Sequence, residues 1–84
     1  MYYLGIDVSK KTIDCCLISD SIFYERRFDN IEDGFRRLDD WIQEYTTETV
    51  HCCCEATGIY HEAIAAHLRQ KHIVSIVNPS KIKG

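Results

Sequence analysis

The sequence predicts an α/β fold built on a mixed five-stranded sheet. Three apolar segments joined by short polar turns occupy the first 28 residues, a spacing typical of antiparallel hairpins. After residue 30, apolar positions recur every three or four residues and then give way to short strand-like runs, a pattern typical of parallel strands joined by helices. Apolar residues make up 45% of the 84 residues, which suits a single globular domain.

Five segments are predicted to be strands. The first three are separated by three-residue turns, so we expect antiparallel pairing, with the polar third strand at the sheet edge. The fourth is rich in valine and cysteine, which indicates a central parallel strand buried on both faces. The predicted strands are residues 2–8, 12–18, 22–28, 49–55 and 73–77.

Two helices are predicted between these strands. Asn30 is the expected N-cap of the first helix, and Gly34 is expected to weaken that helix slightly. The second helix is expected over residues 59 to about 71, and Asn78 followed by Pro79 predicts the start of a third. The apolar face of the first helix consists of Ile31, Phe35, Leu38, Ile42 and Tyr45, widened by Trp41.

Three antiparallel strands followed by a helix, a strand, a helix and a strand form the order of a ribonuclease-H-like fold. In that arrangement the fourth strand pairs in parallel with the first, which places Asp7 and Glu55 side by side at adjacent strand ends. Neighbouring strands lie about 4.8 Å apart, so the two carboxylates repel each other unless a cation bridges them. The simpler alternative is that Asp7 caps a turn and Glu55 caps a helix, with no shared role.

Three motifs resemble, in order and spacing, the amino-terminal part of the DEDD transposases of the IS110 insertion-sequence family. They are GIDVSK at residues 5–10, EATGIY at residues 55–60 and VNPSKIK at residues 77–83. The resemblance implies a RuvC-like catalytic domain in which Asp7 and Glu55 are the first two of four acids. It also implies that these acids bind Mg²⁺ or Mn²⁺ while DNA strands are cut and joined.

The resemblance covers only the first part of such a domain. We therefore expect residues 1–84 to be the truncated amino-terminal portion of a RuvC-like domain, lacking a later Asp pair and a serine-bearing carboxy-terminal domain. The parent protein is expected to be a DNA transposase, and the fragment alone is expected to be inactive.

The implied partners are DNA, a structured guide RNA and further copies of the same protein. The net charge of −3 gives no overall attraction to nucleic acid, so contact would depend on local groups. For each candidate group, an ordinary structural or solvated role is the alternative. The candidates for phosphate contact are Lys10, Lys11, Thr57, Lys81 and Lys83.

Cysteine usage and hydropathy indicate a cytoplasmic protein without a membrane anchor. The five cysteines stand in contiguous groups and are odd in number, which disfavours a disulfide framework and favours buried thiols in a reducing compartment. No signal peptide is recognisable, and no apolar run reaches the 18 residues typical of a membrane span. The histidine spacing does not indicate a zinc site.

Three other interpretations remain open. A Holliday-junction resolvase-like nuclease of the same fold would share Asp7 and Glu55 but should lack the motif at Asn78 and Pro79. Half of an actin-like or sugar-kinase ATPase also begins with a Gly-Ile-Asp strand, but it needs a glycine-rich phosphate loop that the first hairpin lacks. A non-catalytic remnant would dimerise through apolar sheet surface.

Overall fold

The computed structural model describes residues 1–56 and 58–78, which form one five-stranded sheet and two helices. The elements are β1 (Tyr2–Val8), β2 (Thr12–Ser19), β3 (Ile22–Asp29), α1 (Glu32–Gln43), β4 (His51–Glu55), α2 (Glu62–Leu68) and β5 (Ile73–Val77). The predicted strands agree with these bounds to within two residues at either end.

The sheet order is β3-β2-β1-β4-β5. β1 pairs antiparallel with β2 and β2 with β3, whereas β4 runs parallel to both β1 and β5. Placement of β3 at the sheet edge and parallel pairing of β4 with β1 are confirmed. The mixed sheet with crossover helices predicted from the order of elements is therefore present.

Both helices contribute to one hydrophobic core on one face of the sheet. Phe35, Leu38 and Ile42 of α1 are buried as predicted, and Trp41 is buried beside them. From the sheet, every second residue of a strand enters the same core, because side chains alternate between the two faces. The strand contribution comes from Leu4, Ile6, Ile13, Cys15, Leu17, Phe28, Cys52 and Cys54.

The prediction that β4 is buried on both faces is wrong. Cys52 and Cys54 point into the core, whereas His51, Cys53 and Glu55 are exposed. A central position buries the backbone edges of a strand, but burial of its two faces depends on which layers pack there. The face opposite the helices, here called the open face, stays accessible over the described residues.

The cysteines likewise lie on both faces of the sheet and differ in burial accordingly. Cys15, Cys52 and Cys54 are buried as expected, but Cys53 is exposed and Cys16 is half-buried, because both lie on the open face. All five are free thiols. The buried cysteines act as small apolar core residues, and burial raises the pKa of Cys15 and Cys52 to about 12.

The start of α1 differs from the prediction. Ile31, not Asn30, is the N-cap, with φ −144° and ψ 167° and no hydrogen bond from its side chain. Ile31 is 56% exposed rather than part of the apolar face. The close approach of the Asp29 backbone explains the glycine at position 34, because a Cβ there would overlap that backbone. Glycine therefore lets α1 begin close to the end of β3.

α2 is shorter than predicted, with seven residues instead of about thirteen. Residues 58–61 and 69–71 are turns rather than helix, and Gly58, one residue before the predicted start, has a φ of 68°. Ile64 and Leu68 are buried, whereas Tyr60 and Ala63 are exposed. The predicted third helix after residue 78 lies outside the described residues.

None of the helices in the described part of the chain is long and apolar enough to cross a bilayer.

Candidate active site

Asp7 and Glu55 lie at the carboxyl ends of the neighbouring parallel strands β1 and β4. The parallel ladder pairs Gly5 with Cys53 and Ile6 with Cys54, and each acid is the next residue of its strand. Both side chains are exposed and, by strand alternation, belong to the open face. The fold thus brings the two acids to neighbouring positions, as the order of elements predicts.

A third carboxylate, which sequence reasoning missed, lies on the other side of Asp7. Asp14 is directly opposite Asp7 in the β1–β2 pair, and Arg27 is opposite Asp14 in the β2–β3 pair. Arg27 Nε donates to Asp14 Oδ1 at 2.7 Å and Nη2 donates to Oδ2 at 3.2 Å. These hydrogen bonds hold the pKa of Asp14 below its ordinary value of 3.8. Asp14 is therefore compensated by Arg27, whereas neither Asp7 nor Glu55 forms an ion pair within residues 1–56 and 58–78.

A cavity of about 790 Å³ opens on this part of the open face. Gly5 lies between its two ladder neighbours, Cys16 and Cys53, and has no side chain that could fill the bottom of the cavity. A Cβ on Gly5 would find its nearest atom, the carbonyl oxygen of Cys16, at 4.0 Å. Asp7 and Glu55 line this cavity, whose size falls within the range of ligand sites in proteins.

The turn after Asp7 is closed by hydrogen bonds between Ser9 and Thr12. The Ser9 N–H donates to the Thr12 carbonyl oxygen at 2.9 Å, and the Thr12 N–H donates to Ser9 Oγ at 3.1 Å. Lys10 and Lys11 occupy the tip of the turn and are exposed. Both lysines lie in the turn that follows Asp7, and their contact with phosphate stays a prediction.

The segment after Glu55 is held from two sides. The Ala56 N–H donates to the Val77 carbonyl oxygen at 2.8 Å, which ties the end of β4 to the end of β5. Farther along, the carbonyl oxygen of Tyr60 accepts a hydrogen bond from Asn30 Nδ2 at 3.0 Å. The other predicted phosphate contacts, Thr57, Lys81 and Lys83, lie outside the described residues.

The donor set of this site suits a hard cation. Within residues 1–56 and 58–78, no group of three or more histidine, cysteine, aspartate or glutamate side chains could hold a metal ion. Asp7 and Glu55 supply two exposed carboxylates at neighbouring strand ends. Mg²⁺ is commonly held by one or two carboxylates, with water and substrate phosphate completing its shell. The residues present therefore fit weakly bound Mg²⁺ or Mn²⁺.

Three of the histidines lie in or near α2, and none of them lines the cavity. His67 Nε2 lies 2.7 Å from Asp39 Oδ2, which joins α2 to α1. His72 Nδ1 accepts the Val50 N–H at 2.9 Å, and burial lowers the pKa of His72 from its ordinary value of 6.5. His61 is half-buried, and its Nδ1 has no hydrogen-bond partner within the described residues.

The region that carries both acids matches a known family. The family model for DEDD transposases of the IS110 type, described as a transposase, matches residues 4–84. The chain belongs to this transposase family. The match includes the ends of β1 and β4 and the residues that line the cavity, and it confirms the resemblance inferred from the three motifs.

Individual relatives agree with this assignment. Pilin gene-inverting proteins of Moraxella bovis and Moraxella lacunata are each 44% identical to the chain over 80 residues, covering 92% of the chain. The chain spans about 25% of the length of these curated relatives.

A solved structure resembles the chain in fold. The type II variant of the Ppx/GppA phosphatase of Aquifex aeolicus matches with a TM-score of 0.50 and 14% identity. The match covers 94% of this chain and 36% of that structure, and it shows the fold alone.

Proposed function

We propose that Asp7 and Glu55 are the first two acids of a metal-dependent centre that cuts and joins DNA strands in a transposase. The observation that carries this proposal is their placement at neighbouring strand ends, on the open face, beside one cavity. Membership of the transposase family supports DNA as the substrate. The gene-inverting relatives support recombination as the class of reaction.

Each part of the site has a role in this proposal. When bound, Mg²⁺ or Mn²⁺ supplies Lewis-acid polarisation of a DNA phosphodiester. Asp7 and Glu55 offer oxygen ligands from two strands of one sheet, and Gly5 leaves room above the sheet for a substrate group. Lys10 and Lys11 contact phosphates on either side of the reacting one.

The proposal extends to a longer parent protein. Residues 1–84 form the amino-terminal portion of a RuvC-like domain, the remaining two acids lie elsewhere, and this portion does not nick DNA by itself. A structured guide RNA and further copies of the protein are its partners, and the cytoplasm is its compartment. Family membership favours this interpretation over a resolvase, a sugar-kinase half or a dimerising remnant.

Paramagnetic NMR tests whether the two acids share a cation. Mn²⁺ added to the 84-residue chain is expected to broaden the amide signals around both Asp7 and Glu55. The Asp7→Asn variant is expected to lose the broadening at both segments, because one ligand of a shared site is gone. If broadening around Glu55 persists unchanged in Asp7→Asn, the shared site is refuted.

Asp20→Asn is the matched control for this experiment. Asp20 is an exposed carboxylate in the β2–β3 turn, at the opposite end of the sheet from Asp7. Its φ of 54° is a conformation that asparagine also accepts, so the substitution removes one charge without straining the turn. Mn²⁺ broadening should be the same in Asp20→Asn as in the wild type.

The parent gene tests the proposed reaction. Reading it beyond codon 84 should reveal an open frame with a closely spaced Asp pair. In the complete protein, Asp7→Asn and Glu55→Gln should each abolish strand joining, and Asp20→Asn should retain it. Strand joining that survives in either Asp7→Asn or Glu55→Gln would contradict the proposal.

A further inference from the structure

Asn30 connects three segments of the chain at the junction between β3 and α1. Its backbone N–H donates to the Lys11 carbonyl oxygen at 2.8 Å. Its side-chain Nδ2 donates to the carbonyl oxygens of Ser9 at 2.9 Å and Tyr60 at 3.0 Å. Because both acceptors are carbonyl groups, the NH₂ end of the amide must face them, which fixes the orientation of the side chain. Asn30 Oδ1 is left buried without a partner within the described residues.

The two carbonyl groups belong to the segments that follow the two acids. Ser9 comes two residues after Asp7, and Tyr60 comes five residues after Glu55. The side chain of Asn30 therefore ties the turn beyond β1 to the loop beyond β4. These contacts span 21 and 30 residues of sequence, so they are tertiary rather than local.

The strand ladder does not perform this task. The β1–β4 ladder ends at the pair Ile6 and Cys54, one residue before each acid. Asp7 is still paired on its outer side with β2, and Glu55 on its outer side with β5. The β1–β4 ladder thus does not pair Asp7 directly with Glu55, and the Asn30 side chain links the segments that follow the two acids.

We propose that Asn30 is a positioning residue for the acid pair. By holding the Ser9 and Tyr60 carbonyl groups on one NH₂ group, it fixes the spacing at which Asp7 and Glu55 can ligate one divalent cation. This inference rests on the proposed function, in which the two acids share a cation. Replacing a residue that orients the ligands of a metal ion commonly lowers the affinity for the metal tenfold or more.

Two variants separate this role from general stability. Asn30→Asp keeps the size of the side chain but removes both donors and places a carboxylate against two carbonyl groups. Asn30→Ser is shorter and keeps one donor. Ile42→Val is the control, because it removes one buried methyl group from the core far from the acids and lowers stability only.

The measurement is a titration of each folded 84-residue variant with Mn²⁺ alone, followed by amide NMR. We expect Asn30→Asp to weaken Mn²⁺ binding roughly tenfold and to confine broadening to one of the two acid-bearing segments at matched occupancy. Asn30→Ser should lose less, and Ile42→Val should keep the wild-type affinity and the wild-type pattern at both segments. If Asn30→Asp does not fold, a weakened affinity in Asn30→Ser supports the proposal, and an unchanged affinity overturns it.

The possible failures are distinguishable. Wild-type affinity and wild-type broadening in Asn30→Asp would overturn the positioning role and leave the proposed function intact. An equal loss of affinity in Ile42→Val and Asn30→Asp would also overturn it, because stability alone would then explain the effect. Absence of Mn²⁺ broadening near Asp7 and Glu55 in the wild-type chain would overturn the shared cation site and, with it, the role of Asn30.

Discussion

Replacing Gly34 by alanine is expected to destabilise the protein, although alanine is the better helix former. A Cβ at Gly34 would lie 2.8 Å from the carbonyl carbon of Asp29, 3.1 Å from its nitrogen, and in overlap with its carbonyl oxygen. Backbone atoms cannot rotate away as a flexible side chain can. α1 must therefore move away from the end of β3, and this movement loosens the core packing of Phe35 and Leu38.

The expected magnitude follows from two opposing contributions. Helix propensity favours alanine over glycine by about 1 kcal/mol. Overpacking costs about 1–3 kcal/mol and occasionally more, and a clash with backbone places Gly34→Ala at or above the upper end. The net loss in the free energy of unfolding is therefore about 2 kcal/mol, which corresponds to a fall in Tm of about 10 °C for a domain of this size.

Urea unfolding followed by circular dichroism measures this loss, with Gly5→Ala as the matched control. A Cβ on Gly5 meets nothing closer than 4.0 Å, so Gly5→Ala should be neutral or slightly stabilising through lower entropy of the unfolded chain. The free energy of unfolding should therefore be lower in Gly34→Ala than in Gly5→Ala by about 2 kcal/mol. A Gly34→Ala protein as stable as the wild type would refute the reasoning, because α1 could then shift without cost.

Two further predictions concern the thiols and His72. Iodoacetamide at pH 8 should modify the exposed Cys53 well before Cys15 and Cys52, whose pKa values burial raises to about 12; peptide mass spectrometry that found equal rates would contradict this. Because burial lowers the pKa of His72 below 6.5, the unfolded chain takes up this proton at higher pH than the folded chain. The stability that neutral His72 contributes is complete above pH 6.5 and declines as the pH falls from there toward the lower folded pKa. His72→Gln should remove this part of the pH dependence of urea unfolding, and an unchanged dependence would assign it to other groups.

Local sequence patterns were sufficient for the strands and for the position of the acids. β1 matches its predicted bounds because apolar residues run between polar turns, and such turn chemistry acts over a few residues. The order of elements also limits the topologies that a sheet can adopt, which is why Asp7 and Glu55 could be placed side by side. The family match over residues 4–84 includes all three motifs.

Other features depended on contacts that no local pattern contains. The sequence pattern of a cysteine-rich strand is the same whether one or both of its faces are covered. The exposure of Cys53 therefore depends on where the helices pack. The Arg27 partner of Asp14 follows from the strand register, which the pairing of β2 with β3 sets.

The order of strands and helices could be predicted from local periodicity and turn residues, and that order placed the two acids at neighbouring strand ends. The family followed from three motifs. The hydrogen-bond partners of Asn30, in contrast, depend on the folded chain. Asparagine is a common helix cap and Asn30 lies just before α1, yet its NH₂ group donates to carbonyl groups 21 and 30 residues away. A polar side chain donates to the acceptors that folding brings within about 3 Å, so its partners depend on the tertiary structure and not on its neighbours in the sequence.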